Sequence, residues 1–174
     1  MDEDKKTCAE CGREVGPEKV VYIDDSPYCP RCMYGELEPF EIYPIGFVRN
    51  ALDRKPDREF GLVGDRKEES RIKLLPSQKR FLYKLEEEEY LTIIFYLHKR
   101  RPPRTKFKRG MDGKEVGTFA SRSPDRLSGL AVTDVKLNGI EGLTLFVSGL
   151  DAINGTPVLD IKMSSGDRRK KKSS

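Results

Sequence analysis

The sequence predicts an all-β protein of small helical content, in which a four-cysteine zinc ribbon precedes the main domain. Seven short runs rich in Val, Ile, Phe and Tyr follow residue 41, separated by Gly, Pro, Asn and Asp turn signals. Two CxxC pairs lie before residue 41. The seven runs favour a sheet that closes as a barrel or pairs as a sandwich.

Along the chain of 174 residues, the composition changes near residue 40. Before it, residues 20–23 form the one strand-like run. After it, the predicted strands are residues 42–48, 71–75, 90–98, 116–122, 129–137, 143–147 and 157–161. Residues 76–89 are the best helix candidate, because apolar residues recur there as a partial stripe. We therefore predict a zinc-ribbon domain over residues 1–40, a β domain over residues 41–165 and a basic disordered tail over residues 166–174.

Composition and charge-free runs exclude several classes of protein. Hydrophobic residues and charged residues each make up 36% of the chain. The longest runs without charge, residues 90–97 and 142–150, are far shorter than the roughly 20 residues that span a bilayer. The first residues contain no apolar segment typical of a secretion signal. We expect a cytoplasmic protein without a membrane segment, whose cysteines stay reduced.

The cysteines have the spacing of a structural zinc site. Cys8 and Cys11 form one CxxC pair, and Cys29 and Cys32 form the second. Four thiolates at about 2.3 Å can surround Zn²⁺ as a tetrahedron, which leaves no open position for catalysis. So short a segment has little core of its own, so zinc would contribute most of its folding free energy. A redox pair or four idle thiols is the alternative interpretation.

Positive charge is concentrated in two short segments of an otherwise acidic chain. Residues 99–109 carry seven basic residues and no acid, and the tail adds a net charge of +4. Two clusters of one sign favour a polyanionic partner such as nucleic acid, although a solvated loop and a disordered tail would also explain them. The candidate RNA-binding residues are Arg100, Arg101, Arg104, Lys106, Lys108 and Arg109.

Two features of the main domain could carry chemistry. His98, the one histidine, ends an apolar strand and begins the basic segment. From position alone it is a polar residue reaching water, or it faces a polyanion or a pocket. Residues 149–157 form a turn with a carboxylate, an amide and two glycines, which is also common in ordinary hairpin loops.

Four segments resemble motifs of one protein family, in the same order. Residues 147–162, VSGLDAINGTPVLDIK, resemble its signature GLDxxDGTPVLDIKPY. Residues 44–48 (PIGFV), 93–99 (IIFYLHK) and 117–126 (GTFASRSPDR) resemble three further motifs. The family is that of the TsaA-like proteins, which includes the S-adenosylmethionine-dependent methyltransferase acting on N6 of threonylcarbamoyl-adenosine next to the anticodon of tRNA. The N-terminal zinc ribbon is an addition to the common form.

The resemblance implies a fold, an activity and a set of site residues. The fold would be a single-sheet β-barrel that forms a homodimer, with S-adenosylmethionine bound near the dimer interface. Asp151 is the nominated general base for methyl transfer, with His98 as the second candidate. The residues implied for cofactor binding are His98, Lys99, Arg122, Val132, Asp151, Ala152, Ile153 and Asn154.

The chain departs from the family pattern at three places. Residues 126–133 lack the Pro-Asn-Pro-Ile-Gly core of the corresponding motif, and Asn154 replaces a second carboxylate. The PRQ cofactor motif has no match within residues 53–71. An alternative function is therefore a non-catalytic zinc-ribbon RNA-binding or assembly protein with a degenerate methyl-donor pocket.

Overall fold

The computed structural model describes residues 4–52, 69–99, 101–110 and 112–164. Most elements within those residues are β-strands. They are β1 (Lys6–Thr7), β2 (Glu14–Val15), β3 (Val21–Ile23), β4 (Ser26–Tyr28), β5 (Gly46–Arg49), β6 (Glu69–Leu74), β7 (Tyr90–Tyr96), β8 (Lys106–Lys108), β9 (Glu115–Gly117), β10 (Leu130–Glu141), β11 (Thr144–Ser148) and β12 (Pro157–Met163). One short α-helix, α1 (Pro30–Tyr34), and three 3-10 helices complete these parts of the chain. The predicted all-β class with small helical content is confirmed.

Contacts divide the chain into two compact units. Residues 1–41 and 100–128 form the first unit, and residues 42–99 and 129–174 form the second. The first unit thus combines the cysteine-bearing segment with a stretch that begins at the basic residues. The tail predicted over residues 166–174 lies outside the described residues.

Six strands of the second unit close into an antiparallel barrel. Their order around the barrel is β10-β11-β6-β5-β12-β7. Side chains alternate between the two faces of each strand, as the period of two requires. In β7, Leu91, Ile93 and Phe95 are buried and alternate with more exposed neighbours. The predicted closed barrel is confirmed, and its core is built from these alternating positions.

Gly46 allows β5 and β6 to approach closely. A Cβ atom at this position would lie 2.6 Å from the backbone oxygen of Lys73 and 2.9 Å from Cα of Leu74. Neither backbone atom can move without shifting β6. The glycine of the PIGFV segment is thus required by packing between two barrel strands.

The helix predicted over residues 76–89 is wrong. Two 3-10 helices, Pro76–Phe81 and Leu85–Glu87, occupy this stretch. Lys84 stands between them with a left-handed backbone (φ 59°), which an α-helix cannot contain. Leu82 and Leu85 still pack against the barrel core, so the apolar stripe reflects burial rather than an α-helix.

Several predicted strands have different limits in the structure. The strand predicted over residues 116–122 ends at Gly117, where the 3-10 helix Thr118–Ala120 begins. The strand predicted over residues 90–98 ends at Tyr96, so His98 lies in the turn beyond it. β8 lies inside the basic segment and was not predicted, because its alternation covers only three residues.

The described residues of the first unit form three two-stranded sheets: β1 with β2, β3 with β4, and β8 with β9. Cys8, Val15 and Cys29 form its small buried cluster, with Val20 and Tyr28 packed against them. A buried cluster this small contributes little to stability. This agrees with a segment whose stability depends on something other than a hydrophobic core.

Candidate cofactor site, metal centre and basic hairpin

Backbone and amide hydrogen bonds hold the turn that contains Asp151 and Asn154. The side-chain nitrogen of Asn50 donates to the carbonyl oxygen of Ala152 (2.9 Å) and to Oγ of the buried Ser70 (3.0 Å). The Asn154 N–H donates to the carbonyl of Leu52 at 2.8 Å. These bonds fix the backbone of the turn, while the Asp151 and Asn154 side chains stay exposed to solvent.

The His98 ring lies beside this turn. Gly155 has a positive φ of 80°, and a Cβ atom there would lie 3.9 Å from Nε2 of His98. The His98 N–H donates to the Tyr96 carbonyl (2.9 Å), which starts the turn immediately after β7. The structure therefore places residue 98 next to Gly155, directly after the predicted site residues 151–154.

The protonation of His98 is shifted in the direction that favours the neutral ring. Partial burial lowers the pKa of His98 from its usual value near 6.5, and the positive charge of Lys99 lowers this pKa further. A neutral imidazole offers one nitrogen that accepts a hydrogen bond or a proton. At neutral pH the ring is thus available as an acceptor beside the turn.

The remaining predicted cofactor residues lie on different elements. Lys99 follows His98 and is exposed, and Val132 is exposed on β10. Ala152 is buried and Ile153 is half-buried within the turn. Arg122 belongs to the first unit, where it is exposed.

The four cysteines converge in a geometry that fits Zn²⁺. Their Sγ atoms all lie within 4.8 Å of one another. The Cys11 and Cys29 sulfurs are 3.8 Å apart, and tetrahedral zinc with bonds of about 2.3 Å separates its sulfurs by about 3.8 Å. All four cysteines are free of disulfides, and the Cys29 N–H donates to Sγ of Cys8 (3.2 Å).

Hydrogen bonding within the cluster separates the acidities of the thiols. The Cys11 backbone N–H lowers the pKa of Cys8 to about 6, because it donates to the thiolate form. Neighbouring thiols act in the opposite sense on Cys32 and raise its pKa to about 12, Cys29 most strongly. Four sulfurs placed this closely cannot all be ionised unless a cation compensates their charge.

Carboxylates from outside the basic segment compensate part of its charge. Lys106 pairs with Glu115 (3.1 Å) across the β8–β9 hairpin, and Arg109 makes a two-pronged ion pair with Asp112. The Arg109 guanidinium lowers the pKa of Asp112 by hydrogen bonding to its carboxylate.

Two further basic residues of the segment have no carboxylate partner among the described residues. Within the part of the chain that the structure describes, no ion pair involves the side chains of Arg104 and Lys108. Arg101 pairs with Asp125 (3.7 Å), and Arg100 lies outside the described residues. Of the predicted RNA-binding residues, Arg104 and Lys108 are therefore the best placed to neutralise phosphates.

The sequence prediction missed two residues that organise these sites. Asn50 ties the turn at residue 152 to β6, and Asp125 is buried with Oδ2 near Arg101. Among the described residues, nothing donates a hydrogen bond to Oδ1 of Asp125. The one signal for the first was an Asn two residues after the strand predicted over residues 42–48. The second lies in the SRSPDR segment, but nothing local in the sequence indicates that this carboxylate is buried.

No helix among the described residues is long and apolar enough to cross a membrane.

Solved structures of similar architecture define the class of this barrel. A crystal structure of TrmO from Pseudomonas aeruginosa superposes with a TM-score of 0.59 at 29% identity, over 76% of this chain and 57% of that chain. A second crystal structure of TrmO gives a TM-score of 0.56 at 28% identity, over 75% of this chain and 59% of that chain. By its fold, the second unit is a TrmO-like barrel.

The sequence identifies the family. The model of the tRNA-methyltransferase O N-terminal domain matches residues 60–165, and the chain belongs to this family. The human tRNA (adenine(37)-N6)-methyltransferase is 35% identical over 101 residues, which are 53% of this chain and 22% of the relative. A putative S-adenosylmethionine-dependent methyltransferase of Pseudomonas aeruginosa is 33% identical over 138 residues, 70% of this chain and 55% of the relative.

An archaeal relative is covered over most of its length. It is a probable S-adenosyl-L-methionine-binding protein of Pyrococcus horikoshii, 30% identical over 134 residues, which are 74% of this chain and 85% of the relative. The chain spans about a fifth of the human relative and just over half of the Pseudomonas relative.

Proposed function

We propose that this chain is an S-adenosylmethionine-dependent methyltransferase that acts on N6 of adenosine in tRNA. The observation that carries the proposal is the position of the His98 ring against the turn of Asp151 and Asn154, which Asn50 anchors to the barrel. The names of the relatives support the cofactor and the tRNA substrate. By resemblance, the specific substrate is threonylcarbamoyl-adenosine next to the anticodon.

The residues present fit this cofactor. S-adenosylmethionine, when bound, supplies a methyl group on a cationic sulfonium and carries a carboxylate of its own. The exposed carboxylate of Asp151 suits the positive charge, and the exposed cation Lys99 suits the carboxylate. Arg122, in the first unit, is the second cation that the resemblance implies. The backbone of the turn from Ala152 to Asn154 and the apolar Val132 would supply the rest of the binding surface.

The chain's contribution to catalysis is positioning and proton removal. An in-line displacement needs the acceptor nitrogen and the methyl carbon to be held in line, which the anchored turn and the His98 ring would do. The bound cofactor would supply the methyl group, and Asp151 would accept the proton that N6 of the acceptor loses. The carbamoyl substituent makes this proton easier to remove than that of plain adenine, so a modest base suffices.

Zinc has a structural role in this proposal. Cys8, Cys11, Cys29 and Cys32 hold one Zn²⁺ as a closed tetrahedral site, because the sulfur separations fit zinc–thiolate geometry. The ion stabilises the first unit, to which the basic β8–β9 hairpin also belongs. A tRNA-modifying enzyme of this kind acts in the cytoplasm.

We also propose that the barrel forms a homodimer through the outer face of β7 and β10. Tyr96 and Leu130 are register partners on these strands and are both exposed, as is Val132 two residues further on. Exposed large apolar side chains on neighbouring strands are typical of an association surface. Val132 is also an implied cofactor residue, which agrees with a cofactor site near the interface.

Methyl transfer to defined RNA tests the activity. Protein, tritiated S-adenosylmethionine and tRNA carrying threonylcarbamoyl-adenosine should give labelled RNA, whereas tRNA with unmodified adenosine should give little label. Asp151→Asn should abolish turnover and keep the fold, because the amide retains a hydrogen-bond acceptor but takes no proton. Glu86→Gln, which also replaces an exposed carboxylate with an amide, on the 3-10 helix Leu85–Glu87, is the control for altered charge. No label, together with no calorimetric cofactor binding, would favour the non-catalytic RNA-binding alternative.

Two double variants test the RNA contacts of the basic segment, residues 99–109. Arg104→Gln with Lys108→Gln removes two cations that have no carboxylate partner within the described chain. Lys106→Gln with Arg109→Gln removes the same charge from residues already paired with Glu115 and Asp112. The first pair should weaken tRNA binding more and flatten its salt dependence more. Equal effects would contradict a specific role for the unpaired cations.

A further inference from the structure

A positively charged hollow lies on the outer surface of the barrel, formed by β5, β6, β10 and β11. Its volume is about 320 Å³. The residues that line it are Arg49, Arg71, Lys73, Glu141, Thr144 and Phe146. Three of these carry positive charge and one carries negative charge, so the hollow attracts anions.

The strand register places like charges opposite each other. Arg49 on β5 is the direct partner of Arg71 on β6, which in turn is the partner of Phe146 on β11. Directly opposite residues of antiparallel strands lie about 5 Å apart, and like charges in such pairs destabilise a sheet. An arrangement of this kind is compensated when an anion lies between the two guanidinium groups.

In the described parts of the chain, Glu141 is the one carboxylate that lines the hollow, and it forms no ion pair with these cations. Among the described residues, no ion pair involves Arg49, Arg71 or Lys73. Lys136 and Lys162, on other parts of the same barrel, lie near Glu89 and Asp160. Arg49, Arg71 and Lys73 thus form a group of neighbouring cations without an ion pair on one face of the described barrel.

Aromatic rings accompany the arginines on this face. The guanidinium carbon of Arg71 lies 5.5 Å from the centroid of the Phe146 ring, and that of Arg49 lies 6.0 Å from the Phe47 ring. Single-stranded nucleic acids bind through a combination of cations for the phosphates and flat aromatic or guanidinium surfaces for the bases. A free phosphate ion would interact only with the cationic side chains and would make no use of the aromatic rings.

We propose that this outer face, defined by Arg49, Arg71, Lys73, Phe47 and Phe146, binds an unpaired segment of RNA. The cations contact its phosphodiester groups, and a base stacks against Phe146 and Arg71. The inference rests on the proposed function for the identity of the RNA as tRNA. It adds a contact surface on the barrel that is separate in sequence from the basic hairpin.

A charge-matched pair of double variants tests the cations. Arg71→Gln with Lys73→Gln should weaken tRNA binding about tenfold at moderate salt, because two phosphate contacts are lost. The slope of log affinity against log salt should fall by about 1.5. Lys136→Gln with Lys162→Gln changes the net charge equally but removes cations that carboxylates already neutralise, and it should have little effect. Fluorescence anisotropy with labelled tRNA measures both.

A second variant tests base stacking. Phe146→Leu keeps an apolar side chain but removes the aromatic face. It should weaken binding of a single-stranded oligoribonucleotide about fivefold, because stacking contributes to each bound base. Its affinity for inorganic polyphosphate, which has charge but no bases, should stay unchanged. Equal losses for both probes would contradict stacking and overturn the assignment to RNA.

The outcomes separate this inference from the proposed function. If the tRNA affinities of both double variants are equal, while Arg104→Gln with Lys108→Gln still weakens binding, then the barrel face is not an RNA contact and the proposed function stands. If the unmodified protein does not bind tRNA, both fail. Sedimentation gives a further check: a changed oligomeric state without a changed RNA affinity would assign the face to self-association and overturn the proposal.

Discussion

The carboxylate of Asp24 accepts a hydrogen bond from the backbone N–H of Thr105 at 3.0 Å, and its second oxygen accepts one from the Thr105 hydroxyl. The Asp24 N–H also donates to the Pro103 carbonyl at 3.1 Å. The turn between β3 and β4, close to the cysteines in sequence, therefore holds the basic segment where β8 begins. Through this contact, order in the cysteine-bearing segment is linked to the position of the cations.

Asp24→Gly should release the Thr105 amide. Both Asp24 and Asp25 have positive φ angles, of 47° and 64°, so glycine is unstrained at either position. Asp24→Gly removes the acceptor and should speed hydrogen exchange at the Thr105 N–H about tenfold. Asp25→Gly causes the same change of charge and of backbone freedom without removing the contact, so its exchange rate should match that of the unmodified protein. Equal acceleration in both variants would mean that the Asp24 carboxylate does not hold the segment.

Cys29→Ser should abolish zinc binding and unfold the cysteine-bearing segment, while the barrel stays folded. In the structure, Sγ of Cys29 accepts from the Cys32 N–H at 3.4 Å and so caps α1. A serine hydroxyl also caps helices well, so the variant isolates the loss of a metal ligand. Elemental analysis should give about one zinc per unmodified chain and much less for the variant. Absence of zinc from protein purified without chelators would refute the metal site.

His98 should titrate below its usual pKa of about 6.5. Burial and Lys99 disfavour the charged ring in the folded chain, so the unfolded chain binds more protons below this pH. Stability from this residue is present above the unfolded pKa and is lost as the pH falls through the folded pKa. Because the chain has one histidine, its ring signal in an NMR titration needs no assignment. Lys99→Gln should raise the midpoint, and a midpoint at or above 6.5 in the unmodified protein would contradict the structure.

Gly46→Ala should destabilise the barrel by about 2 kcal/mol, because the added methyl group meets the backbone of β6. Such a loss lowers the melting temperature by about 4–8 °C for a chain of this size. Gly139→Ala is the matched control, since a Cβ there meets nothing within 4 Å and the position has no positive φ. Thermal unfolding followed by circular dichroism gives both values. A Gly46 variant as stable as the Gly139 variant would show that the two strands can separate at no cost.

Prediction from sequence succeeded where a local pattern determines the structure. The alternation in β6 and β7 encodes burial directly, and the CxxC spacing brought four sulfurs together as expected. Prediction failed for residues 76–89, because packing of the leucines on the core does not require an α-helix. The contact between Asp24 and Thr105 spans 81 residues, so no local pattern could reveal it.

For the candidate site too, residues in local motifs were predicted, and a residue that acts through a long-range contact was missed. The resemblance predicted His98 and the turn at Asp151 as one site, and the structure places that ring beside the turn. Asn50 was missed because its partner Ala152 is distant in sequence, and its role depends on closure of the barrel. The sequence prediction counted charge only within residues 99–109. It therefore left out Asp112, Glu115 and Asp125, which follow residue 109 and pair with basic residues of the segment.

The path of the chain between β7 and β10 has a consequence for folding. These two strands are direct neighbours, and the Leu97 N–H donates to the Gly129 carbonyl at 2.8 Å, so the intervening stretch leaves and re-enters the barrel at one point. Closing a loop of this length costs entropy that grows only logarithmically with the number of residues. The barrel can therefore assemble while the stretch is still unstructured, and order in the cysteine-bearing segment can follow as a late step of maturation.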